Sequence, residues 1–409
     1  MQQIEKIIVS LNFEENSDIE VGEIISDKKG IYFKFYKSFI ETGIEISPLK
    51  LKLSKEIYQA DPLPFDGLFG VFSDSLPDGW GKLLVDRRLI SKGINLNQIT
   101  NLDRLSFVGS NGSGALIYRP EFEEKYAIGK SVELDEISSE VNVILEGSSS
   151  DLIEDLYSLG GSSGGARPKI MVGYNSITDH VIYGSNNLPE GYEHWIIKFP
   201  ASIDRIDIAN IEFAYYKMAI ATGIEMNECK LFEGKSGRVY FGTKRFDRSK
   251  KSRIHMHSAA GLMNDNFRLS SLDYGHLMDC AFILEKDVRA YDKILTLAAF
   301  NVFSNNRDDH SKNFSFLMDS KGFWKFAPAY DLTFSSSSHG MHSTMIAGES
   351  KQPGTSDLIK LANHFRLNDG EKLIKNVKEV LSNWDVFAKE ANVETASLKI
   401  ISEANRKVK

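Results

Sequence analysis

The sequence predicts an α+β protein built from three consecutive parts, residues 1–120, 121–265 and 266–409. Three observations lead to this prediction. With 409 residues, 42% of them hydrophobic and 26% charged, the chain can bury the cores of two or three domains. Strand-like apolar runs are concentrated before residue 250, whereas helical periodicity dominates after about residue 268. The middle part should therefore be rich in β-structure and the last part helical.

The individual elements follow from local patterns. The first predicted helix begins with Pro77, a residue favoured at helix starts, and the second should end in a glycine-rich turn. Between about residues 150 and 250, strands are expected with one helix. The predicted elements, in chain order, are strands over 4–13 and 31–36, helices over 77–92 and 103–114, strands over 170–172 and 194–199, and helices over 210–219, 291–303 and 369–384.

Composition narrows the class of protein. A net charge of −7 argues against an extended basic surface for nucleic acid. The two cysteines, Cys229 and Cys280, have no metal-ligand spacing and suit a reducing compartment as buried apolar residues. The N-terminus does not read as a signal peptide, and no apolar run approaches ~18 residues. We therefore expect a cytoplasmic protein.

The segment 305–313, Asn-Asn-Arg-Asp-Asp-His-Ser-Lys-Asn, carries the strongest chemical signal together with the later Ala-Tyr-Asp-Leu at 329–332. Asp308 and Asn313 reproduce the Asp-x-x-x-x-Asn interval of the protein-kinase catalytic loop. Asn313 and Asp331 offer the oxygen ligands that magnesium prefers, and Asp308 could orient an acceptor hydroxyl and take its proton. Asp309 competes for that role. The alternative is an Asp/Asn-rich turn without chemistry.

A glycine-rich segment lies upstream, at 160–169, and runs into the apolar residues 170–172. Glycines let backbone N–H groups approach a phosphate closely, although a segment of this composition is also typical of a flexible linker. Lys198 follows on a predicted strand, where alternation directs it away from Ile197 and Phe199. Glu212, early in the next helix, could pair with Lys198 or could simply favour the helix dipole.

These residues together resemble the HipA family, the kinase toxins of bacterial toxin–antitoxin modules, over nearly the whole chain. The resemblance is carried by residues 65–81, 164–169, 244–248, 308–315 and 327–331. It implies a protein-kinase-like bilobal fold: an N-terminal subdomain at 1–120, a β-rich small lobe with the phosphate loop at 121–265, and a helical large lobe with the catalytic loop and metal site at 266–409.

The resemblance also implies roles for individual residues. It makes Asp308 catalytic, Asn313 and Asp331 magnesium ligands, and Lys198 the phosphate-binding lysine. Family members phosphorylate a serine of the phosphate loop and thereby inactivate themselves; Ser162 aligns with that position and Ser163 is adjacent. The implied ATP-binding residues are Lys198, Ser162, Ser163, Gly164, Gly165, Ala166, Lys169, Lys244, Phe246, His310 and Tyr330, with 243–246 as the hinge that meets adenine.

Two departures separate the chain from the best-known form of the family. The phosphate loop reads Gly-Gly-Ala-Arg-Pro-Lys instead of containing Gln-Glu-Lys, which leaves the role of Lys169 open. The residue before Arg245 is Lys244 instead of an acidic residue.

The resemblance implies an ATP- and Mg²⁺-dependent serine/threonine kinase whose substrate is a translation component, in the class of aminoacyl-tRNA synthetases. It further implies a HipB-like helix-turn-helix antitoxin as partner, with DNA contacted only through it. Two alternatives remain: a lipid or small-molecule kinase, because phosphoinositide kinases share an Asp-x-His-x-x-Asn loop, and a non-catalytic subunit that binds the antitoxin.

Overall fold

Three antiparallel sheets and a helical C-terminal body make up the protein. The computed structural model describes residues 3–122, 129–148, 150, 152–184, 187–249, 252–336 and 340–408. In the described part of the chain, no helix is both long and apolar enough to cross a membrane.

The N-terminal unit is a twisted sheet covered by short helices. Its strands are β1 (Lys6–Glu14), β2 (Ser17–Asp27), β3 (Gly30–Phe35), β4 (Ile57–Gln59) and β5 (Leu116–Arg119), and its helices are α1 (Lys37–Ile40), α2 (Gly70–Ser73), α3 (Gly79–Ser91) and α4 (Asn101–Val108). The strands are ordered β1-β2-β3-β4, and β5 pairs with β1. Alternate residues of β1, among them Ile7, Val9 and Leu11, are buried, as expected for a sheet with one covered face.

The middle part holds a five-stranded sheet with the order β7-β6-β8-β10-β9. Its elements are α5 (Leu134–Leu145), α6 (Ile153–Gly160), β6 (Lys169–Asn175), β7 (His180–Tyr183), β8 (Glu193–Lys198), α7 (Ile208–Ala221), β9 (Cys229–Glu233), β10 (Val239–Lys244), β11 (Arg248–Ser249) and β12 (Ser252–Arg253). Strand β12 pairs with β1, so the chain returns to the N-terminal sheet after β10. The two sheets are thereby joined.

The C-terminal part is helical around a small third sheet, β13-β14-β15. Its elements are β13 (His255–Ser258), α8 (Ala259–Met263), α9 (Tyr274–Glu285), α10 (Arg289–Phe303), β14 (Ser315–Met318), β15 (Trp324–Phe326), α11 (Thr355–His364), α12 (Gly370–Leu381), α13 (Trp384–Glu390) and α14 (Thr395–Asn405). Residues 294–303 of α10 are all buried, so this helix is the centre of the large core.

Three details of the predicted elements are wrong. The helix expected over 103–114 is α4, which begins earlier because Thr100 and Asp103 form a capping box and ends before Gly109, whose φ is +50°. The stretch from 150 to 250 contains α6 in addition to the expected helix. The helix expected over 369–384 ends at Leu381 and is followed by a separate helix, α13.

A buried cluster of charges lies where the N-terminal unit meets the middle part. Asp247 accepts hydrogen bonds from Arg245 and Arg248, each at 2.8 Å, and from the Gly114 N–H at 2.8 Å. Arg248 donates in turn to the Gly112 carbonyl at 2.7 Å. The cluster therefore ties the segment after β10 to the glycine-rich turn before β5.

A second joint connects the N-terminal unit to the C-terminal part. His257 on β13 donates to Asp74 at 2.6 Å and contacts the Ser47 hydroxyl at 3.0 Å, and all three side chains are buried or nearly so. The Ser258 N–H and hydroxyl also donate to Asp74, each at 2.6 Å. These contacts fix the end of α2 beside the third sheet.

Candidate active site

The loop between α10 and β14 carries two consecutive carboxylates in different environments. The Asp309 side chain is fully buried and accepts hydrogen bonds from Tyr274 at 3.0 Å, His342 at 2.9 Å and the Ser343 N–H at 2.8 Å. A carboxylate with this many partners is occupied in holding the loop. Asp309 is therefore a poor candidate for contact with a substrate.

Asp308 has 61% of its side chain exposed and lies near enough to Asp331 and Arg167 to interact with both electrostatically. We call the space between the Asp308 loop, the Asp331 loop and the glycine-rich loop the cleft. Its carboxylate lies 3.8 Å from His310 Nε2, and the Asn313 side-chain amide donates to its backbone carbonyl at 2.7 Å. Partial burial raises the pKa of Asp308, His310 lowers it and Asp331 raises it, and the balance is an increase. The amide oxygen of Asn313 takes no part in this contact.

Asp331 approaches the same cleft from the loop after β15. Its φ of +54° is uncommon for a residue other than glycine, and such backbone conformations cluster at functional sites. Asp331 accepts from Lys198 through one oxygen, Oδ1. Burial opposes the charge of Asp331, but Lys198 and Lys169 outweigh burial and hold its pKa well below the usual range.

Lys198, at the end of β8, lies between two carboxylates. Besides contacting Asp331, its Nζ is 3.1 Å from Glu212 Oε2 on α7, and the Glu212 side chain is only 4% exposed. Glu212 is thus a buried partner of Lys198. Of the two roles that the sequence left open for Glu212, the structure shows the pairing with Lys198. Burial opposes the charge of Lys198, but Asp331 and Glu212 outweigh it and raise its pKa.

Arg167, directly after the glycine-rich loop, also reaches Glu212. Its guanidinium lies 3.4 Å from Glu212 Oε1 and 3.0 Å from Asp204 Oδ1. The carboxylate of Glu212 is therefore shared by two cations, Lys198 on β8 and Arg167 in the loop before β6. This network holds the loop, β8 and α7 in one arrangement.

The glycine-rich loop connects α6 to β6. Ser162 donates to the Asn111 carbonyl at 2.8 Å, and the buried Ser163 donates to the Gly160 carbonyl at 2.6 Å. Gly165 adopts a φ of +88°, which favours glycine. Gly164 and Ala166, on either side of it, are exposed.

Lys169 is buried and lies directly opposite Lys198 in the antiparallel pair β6–β8. Burial lowers the pKa of Lys169; Asp331 acts in the opposite direction and Lys198 adds to the decrease. Side chains in direct register share one face of the sheet. Both lysines consequently point to the side on which Asp331 lies.

Two residues of the predicted hinge, Lys244 and Phe246, have different surroundings. The Phe246 and Tyr330 rings lie 5.5 Å apart, so these two residues come together. Lys244 does not join them: its ammonium pairs with Glu193 at 2.6 Å, and its N–H donates to the Glu228 carbonyl at 2.9 Å. Its side chain is thus engaged at the surface of the middle sheet.

Comparison with known proteins assigns the chain to a family. The sequence model described as the HipA N-terminal domain matches residues 16–119, and the model described as the HipA-like C-terminal domain matches residues 161–384, more than half of the chain. The chain belongs to the HipA family. No curated protein sequence matches it significantly.

A solved structure shares the fold of this chain over nearly its whole length. The chain superposes on a structure described as the Shewanella oneidensis MR-1 toxin–antitoxin system HipA, HipB and its operator DNA complex, with a TM-score of 0.69, 16% identity, and coverage of 98% of this chain and 95% of that chain. A Helicobacter pylori proinflammatory kinase, CtkA, matches at a TM-score of 0.33, with 13% identity and coverage of 53% of this chain and 91% of that chain, which is too weak to carry an argument. The predicted fold class is confirmed.

Sequence reasoning assigned no role to two residues of this HipA-family site, Asp78 and Lys312. Asp78 accepts a hydrogen bond from the Gly165 N–H and forms an ion pair with Lys312 at 2.6 Å. Asp78 belongs to the segment 65–81 that carries the family resemblance. No local pattern, however, indicates which loops a residue more than 80 positions away will meet.

Two further features lie close to these loops. His310 Nδ1 is buried and has no hydrogen-bond partner among the described residues, and the His310 ring lies 5.5 Å from Phe267. A cavity of about 190 Å³ opens beside Lys198 and Glu212 on the α7 side, but its lining does not include Asp308, Asn313 or Tyr330. Asp308 and His310 therefore lie outside this cavity.

Proposed function

We propose that this HipA-family protein is an Mg²⁺- and ATP-dependent serine/threonine protein kinase of the toxin type. The observation that carries the proposal is that an exposed carboxylate, Asp308, occurs together with a lysine, Lys198, that lies between Glu212 and Asp331. Asp308 lies close enough to Asp331 to interact with it electrostatically, and phosphoryl transfer uses such a proton acceptor beside a metal-binding carboxylate and a phosphate-binding lysine.

The donor set fits magnesium and a nucleotide. Asn313 uses its amide nitrogen on the Asp308 carbonyl, which leaves its oxygen for a cation, and Asp331 has a second oxygen beyond the one that contacts Lys198. Magnesium usually takes one or two such protein oxygens together with phosphate oxygens and water. Bound Mg²⁺ and ATP would supply the phosphoryl group and neutralise charge that develops on it.

The remaining chemistry belongs to residues of this chain. Asp308 would accept a hydrogen bond from the acceptor hydroxyl and take its proton at a carboxylate oxygen. Lys198, kept charged by its two carboxylate neighbours, would orient phosphate oxygens. The exposed backbone at Gly164 and Ala166 would line the phosphates, with Lys169 behind them, and Phe246, His310 and Tyr330 would surround the base.

Several finer assignments belong to the same proposal. The substrate would be a protein hydroxyl on a translation component, in the class of aminoacyl-tRNA synthetases, and the enzyme would phosphorylate itself on Ser162 or Ser163. Residues 1–120, 121–265 and 266–409 would be the N-terminal subdomain, the small lobe and the large lobe. The third sheet nevertheless already begins at His255, ahead of the proposed boundary.

The proposed partner is a HipB-like helix-turn-helix antitoxin. The Shewanella structure is described as a complex of HipA with HipB and operator DNA, and the present chain covers nearly all of that HipA fold. With a net charge of −7, this chain is a weak candidate for broad DNA contact of its own. DNA would therefore be reached through the antitoxin.

Intact mass spectrometry before and after incubation with ATP and magnesium tests the kinase proposal. We expect phosphate on the wild type and none on Asp308→Ala or Asp331→Ala. Peptide and phosphoinositide acceptors offered in parallel separate a protein kinase from a lipid kinase. A wild-type protein that neither binds ATP nor gains mass would indicate a non-catalytic antitoxin-binding subunit instead.

A further inference from the structure

Asp78 occupies the position immediately before α3, where an aspartate side chain ordinarily accepts hydrogen bonds from the first helical turn. Its backbone is extended, with φ −122° and ψ 176°, as a capping residue requires, but the side chain makes no capping hydrogen bond. The carboxylate is turned away from its own helix. Its contacts lie in two loops of other parts of the protein.

The two oxygens of Asp78 have different partners. Oδ1 accepts from the Gly165 N–H in the phosphate loop, and Oδ2 pairs with Lys312 Nζ in the catalytic loop at 2.6 Å. The Asp78 and Lys312 side chains are only 16% and 18% exposed. Lys312 also lies 4.6 Å above the Phe267 ring. One carboxylate thus connects the N-terminal unit to both loops that border the cleft.

The backbone around Asp78 rests directly on the phosphate loop. The Trp80 N–H donates to the Gly165 carbonyl at 3.0 Å. A Cβ at Gly79 would lie 2.4 Å from that same carbonyl oxygen, and one at Gly81 would lie 2.2 Å from the Ser163 carbonyl oxygen. Only residues without a side chain permit this approach. The start of α3 is therefore shaped to hold the loop.

We propose that Asp78 is a positioning residue. The bridge from Gly165 through Asp78 to Lys312 holds the glycine-rich loop at one distance from the catalytic loop, so the N-terminal unit sets how well the cleft is organised for a nucleotide. A glycine-rich segment has high conformational freedom, and ordering it before ATP arrives removes that cost from binding. The nucleotide part of this proposal rests on the proposed kinase function; the ordering of the loop does not.

Three variants break the bridge in different ways. Asp78→Asn keeps an oxygen for the Gly165 N–H but loses the charge that pairs with Lys312, Lys312→Met removes the charge from the other side, and Asp78→Ala removes both contacts. Asp86→Asn is the matched control. Asp86 lies on α3, is 20% exposed and pairs with Arg104 at 2.8 Å, but both partners belong to the N-terminal unit.

Two measurements apply to each variant: ATP affinity, and hydrogen–deuterium exchange of peptides covering 160–168 without nucleotide. For Asp78→Asn we expect faster exchange in this loop and an ATP Kd raised about tenfold, with a larger effect for Asp78→Ala. The double variant Asp78→Asn/Lys312→Met should be no worse than the worse single variant, because both break the same bridge. Asp86→Asn should leave loop exchange and ATP affinity unchanged.

Two results would overturn the positioning role. Unchanged loop exchange in Asp78→Ala would show that packing alone orders the loop, whatever the ATP affinity. Tighter ATP binding by Asp78→Asn would show that the carboxylate competes with a phosphate for Gly165 and Lys312. If the wild type binds no ATP, the kinase proposal fails, while the exchange data without nucleotide still decide whether Asp78 orders the loop.

Discussion

Asp308 and Asp309 are consecutive in the chain, yet the first carboxylate is 61% exposed in the cleft and the second is completely buried. The Asp309 side chain points into the protein, where Tyr274 and His342 donate to it, whereas the Asp308 side chain points outward. Asp308 is therefore the candidate catalytic group, and Asp309 has a structural role.

Substitution of the two aspartates should give opposite results. Asp308→Ala should lower the rate of phosphate transfer by roughly 10²–10⁴-fold, because it removes the proton acceptor, and should leave the melting temperature near that of the wild type. Asp309→Ala should lower the free energy of unfolding by about 3 kcal/mol, because buried donors lose their acceptor. Kinase assays and urea unfolding check this. A stable Asp309→Ala protein with no activity would reverse the assignment.

Lys198→Met should weaken ATP binding at least about tenfold, because it removes the cation that would contact phosphate oxygens and that offsets part of the charge of Glu212 and Asp331. Isothermal titration calorimetry with ATP and magnesium measures the change. Lys217→Met is the control, since Lys217 on α7 also pairs with a glutamate, Glu390, but at a more exposed position. Equal ATP affinity in Lys198→Met and the wild type would contradict the proposed role.

Self-phosphorylation should occur on Ser162. Ser163 is buried and bonds within its own turn, whereas Ser162 is only partly buried and donates to the Asn111 carbonyl. A phosphate on Ser162 cannot donate that bond and would repel the carbonyl oxygen, which would loosen the loop. Peptide mapping after incubation with ATP should show phosphate in Ser163→Ala but not in Ser162→Ala. The reverse pattern would identify Ser163 as the acceptor.

Asp247→Asn should destabilise the protein by about 3–5 kcal/mol, because it leaves Arg245 and Arg248 buried without a carboxylate. Denaturant unfolding measures this loss. In the control Asp287→Asn, the ion pair with Arg289 is at the surface, and the unfolding midpoint should not move. If Asp247→Asn also left the midpoint unchanged, the cluster would not contribute to stability.

His255 should make stability depend on pH. Burial lowers the pKa of His255 to about 4, whereas a histidine in the unfolded chain titrates near 6.5. Between these values the unfolded chain binds more protons, so the free energy of unfolding increases with pH. From pH 5 to pH 7.5 the wild type should gain about 2 kcal/mol more than His255→Asn does.

Denaturant unfolding at the two pH values measures this difference. His364→Gln, at an exposed histidine, serves as the control and should follow the wild type. A His255→Asn protein with the pH dependence of the wild type would show that His255 is not the group responsible.

The order of the chemical residues was readable from the sequence. Glycine-rich loop, lysine strand, glutamate helix and Asp/Asn loop follow one another along the chain, and the folded protein places Lys198 beside Glu212 and Asp331. The strands β1 and β3 and the helices α3, α7 and α10 lie where periodicity predicted them. Two errors fell at helix ends, where a capping box at Thr100 and a break after Leu381 outweighed periodicity, and a third was the helix α6, which the sequence analysis did not predict.

The sequence by itself indicated the α+β fold class through its periodicity, and its motifs carried the resemblance to the HipA family and supplied the candidate groups, because periodicity and motifs are local properties of a chain. Tertiary structure decided which of two adjacent aspartates faces the cleft, that Lys244 pairs with Glu193 outside the cleft, and that Asp78 meets Gly165 and Lys312. These outcomes depend on burial and on contacts between distant segments. Such burial and contacts arise only when the sheets and helices pack together, so no local pattern of the sequence predicts them.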